Sequence, residues 1–430
     1  MALAALIGLV GLVTTAAASS PDGSAAPATP TAIAPAAAPL PQPPPAAAAP
    51  WARACSTRHP ACVRTPPGAL VHASAALAAI DRAWDALVDV VGAPAPENAF
   101  GGAWDVYLVD APPVADAAVY TGNDPRGYFD RGQSFGVIDA RTEPGCALDR
   151  AAARALARAS LWRAAPATDE ASAVAQSEAL ADLATPCGHA GLGAAAYQAA
   201  PERSVAAAVS PAFARGASMF YRWLDRRFGA RPGAIVVGAW ALAPTRTPAD
   251  TLVRGLWANA PGQLDVLRAS LANALWTGST LEDIFGGFAV ARASPPFAPP
   301  EPAAAWALAW PDHARRLASP HGVEPTGASY VVIDHAGAPP GARLRLEAQW
   351  EDYARMRWTA LKMNASGAAI GTVAMAAPDR ATHASLTLEG LDETDHVVVV
   401  GANVGSTEHP FYPAQGEWEA HGWMLTVEGQ

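Results

Sequence analysis

The chain has 430 residues and a net charge of −10, and of its 29 basic residues only Lys362 is lysine. Without a basic run, that balance argues against nucleic acid or an anionic membrane surface as the partner. About 380 residues lie beyond residue 50, enough for two domains with substantial cores, and the abundance of Ala, Pro and Arg points to a GC-rich bacterial genome.

The N-terminus reads as an address. Ala2 to Val13 is an uncharged apolar run, too short to span a bilayer comfortably, and Ala16-Ala17-Ala18 offers a small-residue cleavage site before Ser19. Residues 1–18 are therefore expected to be a secretory signal peptide, although the usual basic n-region is missing and the true start codon is left open. No Cys follows closely, which argues against a lipoprotein. Residues 19–50 are almost entirely Ala, Pro, Ser and Thr, a composition that builds no core and suits an extended tether. The folded part is expected from Trp51, and no later stretch is long enough to form a transmembrane span.

Strands are expected at Trp104 to Val109 and Ser134 to Asp139. Asp149 to Arg163 is rich in Ala and Leu with no internal Gly or Pro, which favours helix, and Pro166 marks its end. A second helix follows, with Thr168 as N-cap, Asp169 and Glu170 in the first turn, and Pro186 stopping it near Ala184. Two antiparallel helices of similar length bring the residue before the first close to the residue after the second. Cys146 should therefore pair with Cys187, leaving Cys55 to pair locally with Cys62. Free or metal-bound thiols are the weaker reading, because no C-x-x-C spacing occurs.

From Pro211 to Ala293 the chain reads as a helical lobe. Helices are expected at Phe213 to Phe228, Gly233 to Ala243, Pro248 to Trp257 and Gln263 to Trp276. Ser279-Thr280-Leu281-Glu282 is a capping box opening the last helix, which carries Ile284, Phe285 and Phe288 as core residues. A second linker, 296–313, follows. Beyond Ala314 the period changes to two. Arg343 to Trp350 alternates perfectly, and similar runs at Ser329 to Asp334, Arg355 to Met363, Ile370 to Ala376, Ala384 to Leu388 and Trp423 to Val427 read as strands, with Val397 to Val400 apolar enough to be central. About seven strands make a β-sandwich over 314–430, jelly-roll or immunoglobulin-like. The loop Gly405 to Gly422, with His409, Phe411, Tyr412, Trp418 and His421, is long enough to be a binding surface or simply to cap the open end of the sandwich.

The hairpin invites a chemical reading. In zinc peptidases of the H-E-x-x-H type, two His one turn apart bind the metal and the Glu activates its water. In gluzincins a third ligand, Glu, comes from a following helix, with an Asp one turn beyond. Ser177-Glu178-Ala179-Leu180-Ala181-Asp182 is similar to that second half, and Glu178 lies twenty residues after Arg158, the thermolysin-like spacing. By this alignment Arg154 and Arg158 stand where the His would be and Ala155 stands at the general base. Arginine has no lone pair for a metal and stays protonated, so no zinc site is expected. Against this stands a plainer reading, in which Arg150, Arg154 and Arg158 repeat at i+4 as the wet face of an amphipathic helix.

From about Leu70 to its end, the chain also resembles a family of exported myxobacterial metallopeptidases. The resemblance is spread over the chain and rests on no single diagnostic motif. It implies a degenerate zincin-like α+β domain over 51–295, followed by the kind of accessory sandwich that accompanies many secreted peptidases.

No G-x-S-x-G elbow, P-loop, EF-hand ladder or G-x-G-x-x-G occurs. Asp392-Glu393-Thr394-Asp395 is a weak Ca²⁺ candidate or an acidic turn, and Asn364-Ala365-Ser366 matches a glycosylation sequon of little meaning in a bacterium. The favoured expectation is an exported, non-catalytic protein without cofactor that binds a peptide, a polysaccharide or an envelope protein. The alternative is a secreted zinc metallopeptidase or other hydrolase, with His189 and Glu178 among its few candidate ligands. A purely structural envelope role is the third reading.

Overall fold

The computed structural model describes residues 51–66, 70–98, 102–109, 134–164, 170–185, 187, 193–207, 209–241, 280–294, 305–319, 321–352, 354–377, 381–406 and 419–430. The expected leader and tether, the inter-helix turn with Thr168 and Asp169, His189, and the helices expected at 248–257 and 263–276 lie outside them. The architecture is α+β. No helix among the described residues is long and apolar enough to cross a membrane.

The described residues open with a tight hairpin. β1 (Ala52–Cys55) pairs antiparallel with β2 (Ala61–Thr65), placing Cys55 opposite Cys62 in a disulfide. β3 (Trp104–Val109) runs parallel to β2, and β4 (Gly136–Asp139) parallel to β3. The last strand is shorter than expected, since Ser134 makes only an isolated bridge to Asn98. α1 (Leu70–Trp84) and the π-helical turn Asp85–Val91 that continues it supply Ile80, Trp84 and Leu87 to a core shared with Val63, Val106, Leu108 and Ile138 of this sheet.

The helical hairpin follows as α2 (Cys146–Ala164) and α3 (Glu170–Ala184). Its ends are closed by the Cys146–Cys187 disulfide, with Cα atoms 5.6 Å apart. Two disulfides are consistent with export. Leu148, Leu156, Leu161 and the alanines at 151, 152, 153, 155, 157 and 159 are all buried. α2 is therefore enclosed nearly all round, and its alanines let the neighbouring elements approach closely.

Among the described residues, the downstream helices are α4 (Ala194–Gln198), α5 (Pro211–Gly216), α6 (Ser218–Phe228), α7 (Ala234–Ala241) and α8 (Leu281–Arg292). The single helix expected over 213–228 is two helices, broken at Ala217. The break coincides with a close approach of backbones. A Cβ on Gly216 would lie 2.2 Å from the Gly193 carbonyl oxygen, so only glycine fits there. The capping box also sits one residue later than expected: Thr280 is the N-cap and accepts from the Asp283 N–H, while the Asp283 carboxylate accepts from the Thr280 N–H.

The C-terminal region is two packed sheets. Besides β5 (Ala305–Leu308) and β6 (Arg315–Ala318), it contains β7 (Ala328–Asp334), β8 (Leu344–Trp350), β9 (Ala354–Met363), β10 (Ala369–Ala374), β11 (His383–Leu388), β12 (His396–Ser406) and β13 (Trp423–Gly429). One sheet has the order β10-β9-β12-β7-β5 and the other β11-β8-β13-β6. β5 corrects the reading of 296–313 as linker, since it pairs parallel with β7. Between the sheets lie Val331, Ile333, Trp358, Val397 and Val399 from one side and Leu344, Leu346, Trp423 and Leu425 from the other.

The run of four valines at 397–400 now has a cause. Val397 and Val399 face the sandwich interior, whereas Val398 and Val400, with Tyr330, Leu361 and Met363, join the core of the helical part. The central strands β7 and β12 of the five-stranded sheet are thus buried on both faces, and the helical part and the sandwich share a continuous core. α8 lies against β12 and β9, and the Tyr330 hydroxyl donates to the Ala289 carbonyl at 2.9 Å.

Candidate functional site

The residues singled out for chemistry lie where α2 faces α3. Glu178 and Asp182 are buried, each with a side chain 2% exposed, and point toward α2. An isolated carboxylate in such surroundings would be far too costly to keep ionised, and guanidiniums meet both. Arg150, itself buried, donates through Nε to Glu178 Oε1 at 3.0 Å and through Nη2 to both Glu178 Oε1 and Asp182 Oδ1. Arg154 donates to Glu178 Oε2 at 3.4 Å. From α6, Arg222 donates to Asp182 Oδ2. All four carboxylate oxygens are therefore engaged by arginine.

Burial alone would lower the Arg150 pKa, but the hydrogen bonds and charges of Glu178 and Asp182 outweigh it and hold the guanidinium above its ordinary value. The cluster is thus a network of fixed positive and negative charges. Among the described residues it has no neutral nitrogen or sulfur donor to offer a metal. A small cleft beside Asp182, lined by Leu183, Tyr221, Arg222, Asp225, Arg226 and Val236 among others, adds no His or Cys to it.

Two details differ from the sequence reading. Arg158 does not reach Glu178 or Asp182; it pairs with Glu170 at the start of α3. The arginines opposite Glu178 are Arg150 and Arg154, one turn earlier than the thermolysin-like spacing places them, and Ala151 rather than Ala155 lies next to the first of them in sequence. The wet-face reading of the stripe fails for Arg150 and Arg154, whose side chains are 8% and 13% exposed and turned toward α3. An antiparallel hairpin fixes this register through the Cys146–Cys187 closure.

The remaining candidates separate. His409, Phe411, Tyr412 and Trp418 lie outside the described residues, and His421 is not on a binding surface. It is buried, pairs through its backbone with Val323, and its Nδ1 is 3.3 Å from Glu351. In the acidic run, Asp392 accepts from the Gly341 N–H at 3.1 Å and Asp395 pairs with His396 at 2.8 Å, so its carboxylates serve separate contacts. Asn364 accepts from the N–H groups of Ser366 and Ala368 and closes a turn.

A second buried polar cluster has no counterpart in the sequence reading. Glu324 accepts from the Ser204 N–H at 2.7 Å and pairs with Arg203 at 3.1 Å. Thr326 bonds Ser204 through their hydroxyls at 2.9 Å. Nearby, a Cβ on Gly327 would fall 2.2 Å from the Glu202 carbonyl oxygen. This cluster fastens the segment 201–207 to the start of the sandwich. Burial pushes the Glu324 carboxyl above its ordinary range, with the Ser204 hydrogen bond and the Arg203 charge acting in opposition.

No protein-family description matches the chain, and no curated protein matches it. Similar solved structures include the pre-peptidase C-terminal domain of a collagenase from Bacillus anthracis, at 8% identity and a TM-score of 0.19 over 31% of this chain and 98% of that one. Another is PliG, a periplasmic inhibitor of g-type lysozyme from Aeromonas hydrophila, at 12% identity and a TM-score of 0.19 over 30% of this chain and 100% of that one. A third is CorA, a surface-associated copper-binding protein of Methylomicrobium album BG8, at 10% identity and a TM-score of 0.19 over 30% of this chain and 98% of that one. At these scores the likenesses carry no functional argument.

Proposed function

We propose that this chain is an exported, non-catalytic binding module built on a zinc-peptidase-like hairpin whose metal site has become a structural ion network. The observation that carries the reading is the engagement of every oxygen of Glu178 and Asp182 by Arg150, Arg154 or Arg222. A peptidase zinc needs neutral nitrogen donors, an open coordination position for water and a base to activate that water. Here the facing positions are cationic and the neighbouring residues on α2 are alanines. The network serves stability: it lets two carboxylates stay buried between α2, α3 and α6. Binding of a peptide, a polysaccharide or another envelope protein then falls to the outer surface of the molecule rather than to the hairpin.

The experiment is a peptidase assay on purified protein with casein and with short peptides, with and without added zinc. The expected result is no cleavage above buffer background. Cleavage that disappears in a folded Glu178→Gln variant would overturn the proposal.

A further inference from the structure

A different corner of the molecule brings together donors that the hairpin lacks. His59 lies in the loop closed by the Cys55–Cys62 disulfide, and Asp85 and Asp89 lie in the π-helical turn Asp85–Val91. One ligand atom from each of these three side chains lies within 4.8 Å of the other two. His59 is held rather than mobile. Its ring stacks on Trp84 with centroids 5.5 Å apart and planes 17° from parallel, and its backbone N–H donates to the Ser56 hydroxyl at 3.1 Å. The Trp84 indole beneath is buried.

Asp85 is shared at present. It lies 2.9 Å from His59 Nε2 and accepts two bonds from the Arg58 guanidinium, at 2.6 and 2.7 Å. The Arg58 side chain is 57% exposed, free to swing into solvent when another cation takes its place. Asp89 is exposed and adds a second carboxylate on the solvent side.

We propose that His59, Asp85 and Asp89 form a binding site for a divalent transition-metal ion of the zinc class, with Arg58 as the competing cation. One imidazole and two carboxylates suit Zn²⁺, whereas an all-oxygen set would favour Mg²⁺ or Ca²⁺. The site is separate from the hairpin, so its presence or absence leaves the reading of Glu178 untouched. The disulfide and the Trp84 stack pre-position the imidazole, which lowers the ordering cost of binding.

The test is calorimetric titration of the full chain with Zn²⁺ at neutral pH, with Mg²⁺ as the control. Saturable one-to-one binding of Zn²⁺ but not Mg²⁺ is expected. His59→Asn and Asp89→Asn should each weaken it at least tenfold, and Arg58→Ala should tighten it several-fold by removing the competitor. An ion pair of purely structural purpose predicts none of the last three effects. The proposal is overturned by the lack of saturable Zn²⁺ binding, or by binding that neither His59→Asn nor Asp89→Asn weakens. Because Asp89 lies at the exposed rim, its substitution tests the site without disturbing the His59–Trp84 stack.

Discussion

At Glu178 the two carboxylate oxygens accept from different arginines, and the consequences of removing each arginine differ. Arg150 is buried and bonds both Glu178 and Asp182. Its replacement by Met takes from two buried carboxylates the guanidinium that they share, and should cost about 3–5 kcal/mol of unfolding free energy. Arg158 instead pairs with Glu170, whose side chain is 72% exposed. Arg158→Met should cost under about 1 kcal/mol. Urea denaturation of the two variants separates these cases, and equal losses would show that the network is no more than surface pairing. The chemistry at this site was legible in Glu178 and Asp182 because their i+4 spacing is local. The identity of the main arginine was not. Arg150 reads as one member of an i+4 stripe, and only the enclosure of α2 nearly all round turns Arg150 and Arg154 inward. Arg222 comes from α6, forty residues beyond Asp182, with no local signal that it returns to α3.

Among the elements, the α2–α3 hairpin depends on its closure. The Cys146–Cys187 bond spans 41 residues, and the entropy of a loop of that length corresponds to about 4 kcal/mol. A Cys146→Ala/Cys187→Ala variant should therefore melt well below the parent in calorimetry; an unchanged melting temperature would mean that helix packing alone restrains the unfolded ends. At α8 the cap is a separate contribution. Thr280→Ala removes the acceptor for the Asp283 N–H and should cost about 1 kcal/mol. Legibility at this scale followed exposure. β8 was readable because one face meets solvent and its burial alternates residue by residue. β5 and β6 were missed because each has only four residues and lies at a sheet edge, one emerging from a Pro-rich stretch and the other beginning with two exposed arginines. The split of the 213–228 helix was hidden because its cause, the approach of Gly193 to Gly216, is a tertiary contact.

Over the whole molecule, the five-stranded sheet is shared by two cores, so the helical part and the sandwich should unfold together. The buried junction at Glu324 makes that coupling sensitive to pH. Its carboxyl is raised above the ordinary value, chiefly by burial. The folded state therefore binds the proton more tightly than the unfolded state, and the contribution of Glu324 to stability is fully present below the unfolded pKa of about 4.3. It is lost as pH rises through the higher folded pKa. Glu324→Gln keeps an acceptor for Ser204 without the charge. This variant should lose less stability than the parent as pH rises from 4 to 7, measured by urea denaturation across that range. A parallel decline in both would show that another group carries the dependence. The sandwich was legible at this scale from its period of two, but its fusion with the helical part was not, because the valines at 397–400 reveal that both faces are buried without revealing by what.

The conversion of the hairpin from metal site to ion network is tested most directly by metal content. The protein to use is the His59→Asn variant, in which the separate cluster near the N-terminal hairpin is disabled. After exposure to zinc and dialysis at neutral pH, mass spectrometry should find no stoichiometric zinc, because arginines engage all four oxygens of Glu178 and Asp182. Near-equimolar zinc that survives dialysis, and that a folded Glu178→Gln version of the same protein no longer holds, would contradict it.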